Sequence, residues 1–132
     1  MNKEIFKKLW DDKIRIIQLD DLVQSDDKIK ATAQFKDSLL DTVFFFEADI
    51  SESGADFSFS CVARKKNPIA ILDFSNHNPY YAVSYQEGKI VIHRHEFSIK
   101  DEAEAIDKVS FFFLCFMQGN VNEMKTLLRG VK

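Results

Sequence analysis

The stretch that decides the fold is Thr42-Val43-Phe44-Phe45-Phe46-Glu47-Ala48-Asp49-Ile50. Successive side chains of a strand point to opposite faces, so Phe44, Phe46, Ala48 and Ile50 fall on one side and Phe45, Glu47 and Asp49 on the other. One apolar and one largely polar side is the pattern of an antiparallel sheet with a single wet face. Upstream, Lys28 to Phe35 alternates in the same way, with Ile29, Ala31, Ala33 and Phe35 against Lys28, Lys30, Thr32 and Gln34. Downstream, Ser51 to Ala55 supplies a turn containing Gly54. Asp56 to Ala63 then sets Phe57, Phe59, Cys61 and Ala63 against Ser58, Ser60 and Val62. Consecutive strands with short polar connections predict an antiparallel meander.

Outward from that centre the period changes. Met1 to Asp11 reads as a short amphipathic helix capped by Asn2, with Ile5, Phe6, Leu9 and Trp10 sharing a face. Ile14 to Leu19 reads as a first strand. Tyr80 to Tyr85 and Lys89 to Phe97 form two further strands, and Gly88 in their connection accepts the positive φ that a tight hairpin requires. Asn67-Pro68 opens a middle helix over 67–76, although an extended reading fits the same residues. The final third is helical, with Ser98 or Asp101 as cap and Asp101, Glu102 and Glu104 loading its positive end. Ile106, Val109, Phe112, Phe113 and Phe116 form its core stripe. Gly119 ends it, and Asn120 to Glu123 opens a short further helix. The sequence therefore predicts one α+β domain over 1–132. Its antiparallel sheet has five to six strands, flanked by a short N-terminal helix and a long Phe-rich C-terminal helix packed on the sheet.

A chain of 132 residues buries enough surface to be stable without disulfides or metal. Cys61 and Cys115 are far apart and lie in apolar segments, so they read as buried, reduced thiols, which suits a reducing compartment. The net charge of -3 opposes a surface built to neutralise phosphates, and no nucleic-acid partner is expected. The longest apolar run, Phe111 to Met117, is far short of a membrane span, and the N-terminus lacks a signal-peptide pattern, so a cytoplasmic protein without a membrane partner is expected.

Candidate chemistry is sparse. His93 and His95 project to the same side of one strand and could reach one metal ion, with His77, Asp73 or Glu96 as a third ligand. The bland alternative is the solvent side of an ordinary hairpin. There is no nucleophile elbow and no phosphate-cradling glycine loop, so no catalytic residue and no cofactor are predicted. Tyr81 and Tyr85 could serve as base-stacking platforms of an RNA-binding sheet, against the acidic charge. Thirteen phenylalanines are more informative. Phe45 faces away from Phe44 and Phe46, while Phe111, Leu114 and Cys115 lie outside the stripe of their helix. Large apolar groups on both sides of an element call for a second covering surface: either the C-terminal helix covers one sheet face and the N-terminal helix or a loop the remainder, or these four residues form a self-association or client-binding surface and are the candidate partner-binding set.

The order of elements, with Ile71-Leu72-Asp73-Phe74-Ser75-Asn76-His77-Asn78 leading into the hairpin Tyr81 to Phe97 and a long aromatic helix, resembles the type III secretion chaperone-like fold, including YbjN-type proteins. The resemblance implies a small, acidic, often dimeric protein that binds another polypeptide and turns over no substrate. The expected function is thus a non-catalytic protein-binding domain, chaperone-like or a regulatory adaptor, with a homodimer expected. An immunity or antitoxin-type binder of a partner protein is the near alternative, and a metal-dependent enzyme or sensor using His93 and His95 the distant one.

Overall fold

The computed structural model describes residues 1–15, 17–37, 42–62, 72, 76 and 80–117. Helix α1 (Lys3–Lys13) precedes strands β1 (Leu19–Ser25), β2 (Lys28–Asp37), β3 (Thr42–Ser51), β4 (Gly54–Val62), β5 (Ala82–Gln86) and β6 (Lys89–Glu96), and helix α2 (Glu102–Met117) follows. The strands form one antiparallel sheet in the order β1-β2-β3-β4-β6-β5. The predicted meander holds for the first four strands and then breaks, because β6 rather than β5 pairs with β4 and leaves β5 at the edge. The middle helix over 67–76, apart from Leu72 and Asn76, and the helix opening at Asn120 lie outside the described residues.

The alternation in β3 and β4 sorts the side chains as the sequence requires. Phe44, Phe46, Ala48 and Ile50, with Phe57, Phe59 and Cys61, are buried on one face, together with Ile29, Ala31 and Ala33 of β2. Both helices pack there. Phe112 of α2 stacks on Phe59 at 4.9 Å between ring centroids, and Phe113 meets Phe46 edge-on at 4.8 Å. Trp10 of α1 contacts Phe46 and Phe113 at 5.8 and 5.7 Å. Each such side chain contributes roughly 1.5–3 kcal/mol by leaving water, so the aromatic layer dominates the core. The α2 stripe is buried at Ala105, Ile106, Val109, Phe112 and Phe113; the side chain of Phe116 lies outside the description.

Local chemistry sets the element ends. Asn2 Oδ1 accepts from the Ile5 amide at 3.0 Å and caps α1, while Asp101 Oδ1 accepts from the Glu104 amide at 2.9 Å and caps α2. The β5–β6 hairpin turns at Glu87 and Gly88, with φ of 52° and 79°, as the sequence predicts for this connection. Gly54 does something other than turn. Its φ is 148°, and a Cβ there would lie 2.6 Å from the Glu96 carbonyl oxygen, so the residue admits a close approach between β4 and β6.

Two expectations are corrected. The first strand is not Ile14 to Leu19 but Leu19–Ser25. Ile14 and Ile17 are buried without being in a strand, and the Ile17 carbonyl accepts the Trp10 indole N–H at 2.7 Å. The two isoleucines plug the junction between α1 and the sheet. On α1 itself, Phe6 and Trp10 are buried and Leu9 is half-buried, but Ile5 is exposed, so the apolar face is narrower than the spacing suggested.

Candidate binding surfaces

The second face of the sheet is laid out by strand register. Directly opposed residues share a face, which gives the rows Val23-Lys30-Asp49-Asp56-His95 and Asp21-Thr32-Glu47-Ser58-His93-Ala82 across the sheet. Gln34, Phe45, Ser60, Val91 and Ser84 make the next row. Among the described residues no helix packs on this side. Phe45 keeps 44% of its surface exposed there, in contrast to the buried rings of Phe44 and Phe46 beside it.

Asp56 organises the centre. Its Oδ1 lies 3.0 Å from His93 Nε2 and 2.8 Å from His95 Nδ1, so one carboxylate oxygen joins both imidazoles. The bond from His95 holds the Asp56 carboxyl below its ordinary value; partial burial opposes this, and His93 adds to the lowering. Asp49 stands directly opposite Asp56, and Glu47 follows on the same strand face. Lys30, directly opposite Asp49 on β2, is 3.5 Å from Glu47. Two shallow depressions flank this centre. One of ≈ 410 Å³ is bounded by Glu47, Asp49, Asp56, Ser58, Ser84 and His93. The other, of ≈ 480 Å³, reaches from Asp49, Asp56 and His95 to Lys28, Lys30 and Val23.

The placement of the sequence candidates is mixed. His93 and His95 share a face, as their spacing predicts, but their shared partner is Asp56, which the sequence marks only as the first residue of a strand. Its role becomes visible only with the β4–β6 register, which sets Asp56 opposite His95. Glu96 is corrected as a third metal ligand: one residue beyond His95, it points to the other face. There it is buried, with Oε2 3.3 Å from Arg94 Nη2 and Oε1 3.4 Å from Lys108 Nζ. His77 and Asp73 lie outside the described residues. Among the described residues no three His, Cys, Asp or Glu side chains are arranged to hold a metal ion.

The four partner-binding candidates do not form one site. Phe45 belongs to the open sheet face. Phe111 and Leu114, 40% and 51% exposed, lie on the outward side of α2, and Cys115 beside them is half-buried. Phe111 meets the exposed Tyr80 ring edge-on at 5.4 Å, and the Arg94 guanidinium sits over it at 5.8 Å. Arg94 also donates to the Tyr80 carbonyl at 2.7 Å. Tyr81 is corrected as a stacking platform: it is buried, edge-on to Phe112 at 6.2 Å. Cys61 is a core thiol, pushed up by burial to about 12. No helix among the described residues is long and apolar enough to cross a membrane.

Comparison of the chain with protein-family models, with curated proteins and with solved structures gives no match.

Proposed function

We propose that this chain is a non-catalytic protein-binding domain, a chaperone-like or regulatory adaptor, and that the open face of its sheet receives the partner. The observation that carries this reading is Phe45. It is an exposed ring in the middle of a broad strand face, whereas Phe44 and Phe46 beside it and Phe57 and Phe59 on the neighbouring strand are buried. The rows of charge around it provide specificity, since exposed charge rows select partners more than they strengthen binding. The sharing of one Asp56 oxygen by both histidines suits a fixed recognition surface. An immunity or antitoxin-type binder would use the same face.

The type III secretion chaperone-like resemblance adds a second surface for self-association. Phe111, Leu114 and Tyr80 form an exposed apolar patch on the other layer, where a homodimer would form. The metal-dependent alternative rests on His93 and His95 alone, and metal analysis of the purified protein that finds no bound ion ends it.

The test is affinity purification of the protein and of a Phe45→Arg variant from the cells that express it, compared by quantitative mass spectrometry. A partner recovered in stoichiometric amount with the native chain and lost with the variant is expected. Equal recovery with a folded variant overturns the open-face reading.

A further inference from the structure

We propose that the occupant of the open face is an extended, cationic segment of a partner protein, laid along β3 with an arginine or lysine seated between Asp49 and Asp56. This rests on the open-face reading above and adds the chemistry of the partner.

Asp49 and Asp56 are directly opposed on adjacent strands. Like charges in that position work against the sheet, whereas an unlike pair would support it. The chain's own cations leave the arrangement open on one side. Lys30 stands directly opposite Asp49 on its other flank and also reaches Glu47, and beyond Asp56 the row continues with His95, which shares the Asp56 oxygen with His93. On the side of the ≈ 410 Å³ depression, Glu47, Asp49 and Asp56 are joined by Ser58, Ser84, Gln86 and His93 and, among the described residues, by no lysine or arginine. A guanidinium there gains two carboxylates across the strands and polar groups for its remaining N–H donors.

Phe45 fixes the direction. It lies on the same face of β3, four residues before Asp49, which is about 13 Å along an extended strand at ~3.3 Å per residue. A segment lying in the extended form places an apolar residue on Phe45 and a basic residue four positions away at the carboxylate pair. An acidic segment would meet three carboxylates, and a wholly apolar one would leave them desolvated without a partner, which is unfavourable.

The experiment is fluorescence anisotropy with labelled arginine–serine peptides carrying one tryptophan, against the same peptides with glutamate in place of arginine. It is paired with an amide NMR titration that locates the contact. Saturable binding of the arginine peptide is expected, centred on Phe45, Glu47, Asp49 and Asp56. Asp49→Asn should weaken it by about tenfold, and added salt should weaken it as well. Equal binding of both peptides around Phe45, or affinity unchanged in Asp49→Asn, overturns the cationic partner but leaves the open face as the docking surface. Contact confined to Phe111 and Leu114 overturns both. If the protein alone sediments as a dimer that Asp49→Asn dissociates, the occupant is a second copy and the inference is wrong.

Discussion

Replacing Arg94 by methionine removes a hydrogen bond, an ion pair and a cation–ring contact in one step. Arg94 Nη1 donates to the Tyr80 carbonyl at 2.7 Å, Nη2 pairs with Glu96 at 3.3 Å, and the guanidinium covers the Phe111 ring at 5.8 Å. A hydrogen bond from a charged group is worth about 1.5–3 kcal/mol, and a cation over an exposed ring about 0.5–1 kcal/mol. The larger effect is on Glu96, whose carboxylate is 9% exposed and keeps only the more open Lys108 once Arg94 is gone. Removing one partner of a fully buried pair costs roughly 3–5 kcal/mol, and the remaining lysine reduces that. The overlapping contributions give about 2–4 kcal/mol in all. With unfolding entropy of about 2.1 cal/mol/K per residue over 132 residues, the melting temperature should fall by roughly 7–14 °C. Urea unfolding followed by the fluorescence of Trp10, the one tryptophan, measures the loss of free energy directly, and thermal unfolding with the same probe measures the shift in melting temperature. The decisive comparison is a double-mutant cycle. Arg94→Met with Glu96→Gln should be less destabilised than the sum of the single changes, because the second change removes the orphaned charge. A loss below about 1 kcal/mol for Arg94→Met, or strict additivity in the cycle, refutes the account of this cluster.

Three further outcomes are expected. Gly54→Ala should destabilise by about 2–3 kcal/mol in the same assay, because its backbone conformation strains any side chain and the added carbon meets the Glu96 carbonyl at 2.6 Å. Cys61 has its folded value raised from 9.0 to about 12, so its contribution is complete below pH 9 and is lost as pH rises from 9 to 12. The contribution is at most about 4 kcal/mol; a Cys61→Ala variant should therefore lose less stability over that range in pH-dependent urea titrations. Asp56 is held low instead, so its stabilisation is present above its ordinary value of 3.8 and disappears as pH falls below it. Asp56→Asn should flatten the acid limb of the stability curve measured by thermal unfolding.

The parts of this structure that were legible in the sequence are those where one residue period governs burial. Phe44 to Ile50 and Phe57 to Cys61 alternate so strictly that only one face can be core. Asn2, Asp101 and Gly88 act within a turn or two of their own positions. What escaped depends on contacts distant in sequence. The strand Leu19–Ser25 is polar because it has only one neighbour, so its pattern was weak, while Ile14 and Ile17 looked like strand residues because they fill a helix–sheet junction. The insertion of β6 between β4 and β5 is a matter of pairing across many residues. Asp56 is legible in sequence only as the first residue of a strand, and the β4–β6 register sets it opposite His95; Glu96 reads as a ligand until the strand period places it with Arg94 and Lys108. Phe45 and Phe111 were both legible as surplus apolar residues. That they lie on opposite layers follows from the packing of α2 on the sheet.

Those opposite positions allow the most direct test of the central claim, that the open sheet face is the binding face. A photo-crosslinking amino acid in place of Phe45 in one protein, and in place of Phe111 in another, samples the two layers with the same chemistry. Irradiation in the expressing cells should give a discrete adduct with a different protein from the Phe45 position, and no such adduct from Phe111. An adduct with a different protein from Phe111 and none from Phe45 would contradict the account.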